Sequence, residues 1–257
     1  MRTFDIGFFI CALNLNLQST RTLVSVMSST FTFTGTTSVL RSDFNPPIYL
    51  NPDREYVLGL TSFETFNTIP NVTKTANKFK IGTITIVIPE GSYELKDIEK
   101  YIKSVLPRNT ALKIKANNNT LQTGIKSNKT VDFTIENSIG PLLGFSKKKL
   151  EADVYHESDY PTDIIKVTSL LIDCNIIFGN YKNGTPAHTL HQFSPNVPPG
   201  YKIIECPLHV TYLPVSVRTI SNITLKIMDQ NEDVVNFRGE VVTIGLHLKQ
   251  IDDGFSL

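Results

Sequence analysis

Tryptophan is absent from the 257 residues, cysteine and methionine occur three times each, and opposite charges almost cancel. Each scarcity removes a class of explanation. Twenty-five Lys and Arg against twenty-four Asp and Glu leave a formal charge of +1, so no global field draws the chain to nucleic acid. Cys11, Cys174 and Cys206 are odd in number and lack C-x-x-C spacing. They supply neither a disulfide framework nor a paired-thiolate metal site. Cys174 sits in an apolar strand pattern with Ile172 and Ile176, and Cys206 precedes Pro207. Both read as small buried hydrophobes, which fits a reducing compartment. Long apolar runs are missing too. The best, Ile6 to Leu15, is half the roughly twenty residues that a bilayer requires, so no membrane partner is expected. Asp5 and Asn14 also spoil it as a signal peptide. Residues 1–26 read as an extension outside the fold, and Met27 as the natural start of a single domain over 27–257.

What the chain does have is alternation. Ile223, Leu225 and Ile227 are interleaved with Thr224, Lys226 and Met228, and Val242, Ile244, Leu246 and Leu248 with Thr243, Gly245, His247 and Lys249. Period two marks a strand with one buried face. Further strands are read at 29–35, 79–88, 112–115, 121–125, 131–135 and 203–212, with 56–63 a mostly apolar strand and 168–178 a long strand apolar on both faces and therefore central. Asn-rich breaks between several of them read as hairpin turns. One segment has helical spacing instead: Leu95, Ile98, Ile102, Val105 and Leu106 form a stripe, with Ser92 as cap and Pro107 as stop, so a helix is expected over about 92–106. Residues 146–162 and the Gly-, Pro- and Asn-rich 179–201 read as loops. Strands without a βαβ rhythm indicate an all-β fold. The expected fold is a single jelly-roll β-sandwich of eight to ten antiparallel strands with one inserted helix.

Catalytic chemistry finds no foothold in the sequence. There is no G-x-S-x-G elbow and no Gly-rich phosphate loop. Cys206 and His209 are three apart, which puts them on opposite faces of a strand. His156, His188, His191, His209 and His247 have no cysteine partners at metal-ligand spacing, and His247 reads as surface-exposed. The run Lys147-Lys148-Lys149 reads as a solvated loop. Catalytic, cofactor and metal residues are therefore expected to be none, and the chain is not expected to be an enzyme or to read nucleic acid specifically.

Several segments, in order, carry a resemblance: Phe44 to Leu50 (FNPPIYL), Tyr56 to Val72 (YVLGLTSFETFNTIPNV), Gly91 to Ile102 (GSYELKDIEKYI), Ile139 to Phe145 (IGPLLGF), Ile172 to Ile177 (IDCNII) with the following Asn183-Gly184, and Asp229 to Lys249. Together they resemble the minor capsid, or penton, proteins of Polinton (Maverick) elements, virus-like transposons of eukaryotic genomes. Two features depart from that pattern. The turn at Asn231-Glu232 lacks a glycine, and residues 1–26 have no counterpart. The resemblance implies a homopentamer at the five-fold vertices of an icosahedral capsid, a double-jelly-roll major capsid protein as neighbour, and a place in a virion or virus-like particle, with the host nucleus or cytoplasm as the site of assembly. Tyr181, Phe193 and Tyr201 are the candidate interface residues. Two roles fit those rings equally, anchors against a neighbouring copy or caps on the protein's own sheet edge. The competing reading of the whole chain is a lectin-like cellular binding module without catalytic activity.

Overall fold

The structure, a computed structural model, describes residues 27–251. The extension expected over 1–26 lies outside the described residues. Three strands open the described residues: β1 (Ser28–Gly35), β2 (Val39–Tyr49) and β3 (Glu55–Phe66). A block of short elements follows: β4 (Lys78–Ile81), β5 (Ile84–Val87), α1 (Leu95–Val105), β6 (Leu112–Asn117), β7 (Gln122–Ser127), β8 (Val131–Asp132), a 3-10 turn (Gly140–Leu143), β9 (Lys149–Leu150) and β10 (Tyr155–Glu157). The chain then continues through β11 (Leu170–Cys174), β12 (Asn180–Lys182), β13 (Thr185–Ala187), β14 (Thr189–Phe193), β15 (Lys202–Glu205), β16 (Tyr212–Pro214), β17 (Thr219–Asp229) and β18 (Val242–Ile251).

Two antiparallel sheets face each other. One runs β1-β18-β3-β15, with β16 also paired to β3, and the other β14-β11-β17-β2. β1 pairs with β18, β2 with β17, β3 with β15, and β11 with β14. These are successive rungs of one long hairpin rolled into two layers, which is the jelly roll. The alternation read from the sequence sets its register. Ile223, Leu225 and Ile227 of β17 and Val242, Ile244, Leu246 and Leu248 of β18 are all at 0 % exposure. Phe33, Leu58, Leu60, Phe63 and Ile172 complete the sandwich core.

The strands beyond the expected eight to ten have a definite place. Within the span expected to be one jelly-roll domain, the segment between β3 and β11 buries its side chains in a cluster of its own. Sheets β5-β4-β8-β9 and β10-β7-β6 enclose it. Phe133 stands 5.2 Å from Phe145 and 5.9 Å from Phe79, and Ile98 and Ile102 of α1 pack on the same cluster. The helix is shorter than expected, and Ser92 does not cap it. Glu94 is the cap residue, its N–H donating to Asp97 Oδ2 at 3.3 Å, while the Ser92 hydroxyl donates to the Ile69 carbonyl. Pro107 does close the helix, just after the C-cap Leu106.

Both expected loops hold strand. Residues 146–162 contain β9 and β10. Residues 179–201 contain the hairpin β12–β13 and the sheet strand β14. The hairpin turns on Asn183 (φ 50°) and Gly184 (φ 81°), the left-handed pair that such two-residue turns require. The glycine-free turn after β17 holds because Asp229 Oδ1 accepts from the N–H groups of Asn231 (2.8 Å) and Asp233 (3.0 Å), with Glu232 left-handed at φ 70°.

Candidate interaction surfaces

β15 is the outer strand of its sheet, and a sheet edge is a template for another chain. Charged side chains usually blunt such an edge. Here they are occupied internally. Lys202 Nζ meets Glu64 Oε2 at 2.5 Å across the β15–β3 pair, and Glu205 Oε1 meets His191 Nε2 of β14 at 2.9 Å, tying the two sheets together. Lys202 stays exposed in its pair, and apolar groups share the exposed positions with it. Ile204 is 59 % exposed and Phe66, opposite Lys202, 44 %. Tyr201 precedes the strand, and Leu208, in the excursion between β15 and β16, is 90 % exposed. Two neighbouring isoleucines in a strand must point to opposite faces, and Ile203 takes the core.

The three aromatics singled out from the sequence part company. Tyr201 is exposed on this flank. Tyr181 lies elsewhere, on a separate two-stranded sheet. It is exposed on the β12–β13 hairpin and lines a cleft of about 340 Å³ with His191 and Gln192 of β14 and Thr211. Phe193 turns inward. It lies opposite Leu170 in the β11–β14 register, and its ring is 5.1 Å from that of Phe63 in the core. Phe66, Ile204 and Leu208 were not singled out by sequence reasoning, although the Ile203-Ile204 pair already required one exposed isoleucine.

The titratable groups offer little chemistry. Cys174 is buried, and desolvation pushes its thiol up to about 11, the reverse of what a nucleophile needs. His188 lines the same small cavity as Cys174, but its Nδ1 is bonded to the Ile177 carbonyl at 2.8 Å. Cys206, expected to be buried, is exposed, because the strand ends at Glu205 and the chain leaves the sheet. His247, expected to stand free on the surface, is half-buried. Its Nε2 is 2.7 Å from Ser28 Oγ and its Nδ1 2.7 Å from the Tyr212 hydroxyl, with Lys249 Nζ 3.9 Å over the Tyr212 ring. The chain of hydroxyl, imidazole and phenol has the connectivity of a nucleophile, a base and an orienting group. The orienting place, however, is taken by a phenol and not by the carboxylate of such triads. Among the described residues, no group of His, Cys, Asp and Glu could hold a metal, and no helix is long and apolar enough to cross a membrane.

A second apolar surface lies where the inserted body joins the sandwich. A cleft of about 440 Å³ is lined by Ile69, Pro70, Ile164, Ile165, Val197 and Pro198. Asn71 fastens the join. Its Nδ2 donates to the carbonyls of Tyr93 (2.7 Å) and Ile164 (3.0 Å), and its Oδ1 accepts from the Tyr93 N–H (3.0 Å).

No family model matches the chain, and no curated protein does. Among solved structures, the crystal structure of the selenomethionine-labelled mavirus penton protein is similar at 10 % sequence identity, with 88 % of this chain and 100 % of that chain covered and a TM-score of 0.49. Folds recur with unrelated functions. What this chain does rests on its own residues.

Proposed function

We propose that the chain is a structural, non-catalytic capsid subunit of a Polinton-type element. In this reading it is a penton that closes a homopentameric ring at a five-fold vertex, beside a double-jelly-roll major capsid protein, within a virion or virus-like particle. The resemblance of its ordered segments supports the reading, and so does the jelly-roll topology. The observation that carries it is the flank of β15. This edge strand pairs its charges within the chain and exposes Ile204, with Phe66 of β3, Tyr201 before the strand and Leu208 after it also open to solvent. Ring closure needs a heterologous contact, one patch of each copy against a different patch of the next. A specific contact buries on the order of 800 Å² per partner, built around aromatic and aliphatic anchors.

Light scattering on the full chain tests this directly. The expected mass is five times the 28.7 kDa chain. Replacing Phe66 and Ile204 by Asp leaves the core untouched and returns single chains. A mass of one chain across a wide concentration range, with and without a double-jelly-roll partner, refutes the proposal.

A further inference from the structure

The outer face of the sheet β10-β7-β6 carries a charge arrangement that folding alone disfavours. Leu112, Ile114 and Ile125 are buried, so the residues between them point outward. Register puts Lys113 directly opposite Lys126, with Tyr155 on the other side of Lys126. In the next row Lys115 and Glu157 flank Gly124. Like charges directly opposite each other destabilise a sheet. All three lysines are exposed, and among the described residues none has an ion-pair partner. The Lys147-Lys149 run differs. Lys148 meets Asp159 at 2.7 Å, and Lys149 meets Asp132 at 3.5 Å.

An aromatic ring is built into this cationic face. Tyr155 is 52 % exposed, and its phenol end lies flat over Gly124. A Cβ added at Gly124 would sit 2.1 Å from the Tyr155 hydroxyl oxygen and 2.6 Å from Cζ, so only glycine leaves room for the ring. Glu157 Oε1 accepts from Asn117 Nδ2 at 3.2 Å, and the Tyr155 hydroxyl stands 3.5 Å from the same oxygen.

We propose that this face binds an acidic oligosaccharide, one carrying sulfate or uronate groups. The exposed ring offers a flat apolar surface to the C–H face of a sugar. Lys113, Lys126 and Lys115 take the acid groups through charge-assisted hydrogen bonds. Strand spacing sets these ammonium groups roughly 5–7 Å apart at their roots, within reach of neighbouring acid groups on one disaccharide. Glu157 accepts from sugar hydroxyls. The same carboxylate opposes a continuous phosphate strand, and one ring is not the succession of stacking platforms that single-stranded nucleic acid uses. The inference is independent of whether the chain assembles into rings.

The test is titration of the full chain with a heparin-derived octasaccharide, with a single-stranded oligonucleotide of equal charge as competitor. Saturable, salt-sensitive binding is expected. Replacing Lys113 and Lys126 by Gln weakens it about tenfold or more, as expected when charge-assisted bonds are lost. Tyr155→Ala weakens it without changing charge. Lys126→Glu separates binding from structure. It exchanges a like-charged pair for an opposite one, so it raises the thermal midpoint while it abolishes binding. The proposal is overturned if the octasaccharide does not bind, if Tyr155→Ala binds as well as the parent, or if the oligonucleotide displaces the sugar at lower concentration.

Discussion

Phe133→Ala should destabilise the inserted body while leaving the jelly roll unchanged. Phe133 is 1 % exposed, stacked 5.2 Å from Phe145 and 5.9 Å from Phe79. Gly140 packs against it so closely that an added Cβ would stand 3.1 Å from the Phe133 Cβ. Truncating so tightly held a ring costs about 3–5 kcal/mol, from lost transfer energy and a cavity that its neighbours cannot fill. A small domain has only about 5–15 kcal/mol in total, and each kcal/mol shifts its midpoint by about 4–8 °C, so the inserted body should melt at least about 12 °C earlier. None of these contacts belongs to the sandwich core, where Phe63 stands 5.1 Å from Phe193 and 6.4 Å from Phe237. Hydrogen exchange read peptide by peptide separates the two bodies. In Phe133→Ala, protection is lost in α1, β6 and β7 and kept in β3, β17 and β18. Phe63→Ala gives the reverse. If either substitution lowers protection equally in both bodies, the two cores are one cooperative unit and the reasoning fails.

Two further outcomes follow from titrating groups. Lys148 and the Ser146 N–H and hydroxyl hold the Asp159 carboxyl well below the usual carboxylate range. A depressed carboxylate adds stability above its unfolded pKa, about 3.9, and the contribution is lost as pH falls through the folded value. Thermal midpoints measured from pH 5 down to pH 2 should therefore fall more steeply for the parent than for Asp159→Asn, and parallel curves would contradict the assignment. Thiol labelling at pH 8 followed by peptide mapping should modify the exposed Cys206 quickly and Cys174 only on unfolding, because burial both raises the Cys174 thiol to about 11 and blocks access. Equal rates at the two positions would show that the sheet around Cys174 opens far more readily than its packing implies.

The sandwich was legible where burial is one-sided. In β17 and β18 a slip of one residue would exchange seven fully buried side chains for Thr224, Lys226, Met228, Thr243, Gly245, His247 and Lys249, so the pattern fixes both face and register. The boundary of the inserted body left no comparable mark. Its strands alternate with the same period as those of the sandwich, and alternation does not say which core a face belongs to. The re-entry segment Ile164-Ile165-Lys166-Val167 is apolar, yet Ile165 is 73 % exposed, because it rims the cleft between the two bodies. The β12–β13 hairpin was hidden for a different reason. Asn183-Gly184 is a strong turn signal, but its flanks, Asn180-Tyr181-Lys182 and Thr185-Pro186-Ala187, have no apolar alternation and include a proline.

The candidate surfaces show the same limit in another form. Residue type suggested Phe193 as an anchor, but register decides, since Leu170 opposite it is at 0 % exposure and the two share the inner face. Gly124 is the sharper case. Within one strand, a glycine says only that some group approaches closely or that the strand is locally weak. The approaching group is Tyr155, which comes from β10, about thirty residues further along the chain and in a segment that reads as loop. The opposed Lys113 and Lys126 become informative only once β6 and β7 are in register, because along the sequence each is an ordinary surface lysine. A binding face assembled from two positions on each of three strands has no linear motif to find. What exposes it is an energetic inconsistency, an uncompensated pair of like charges beside a ring that only glycine can seat.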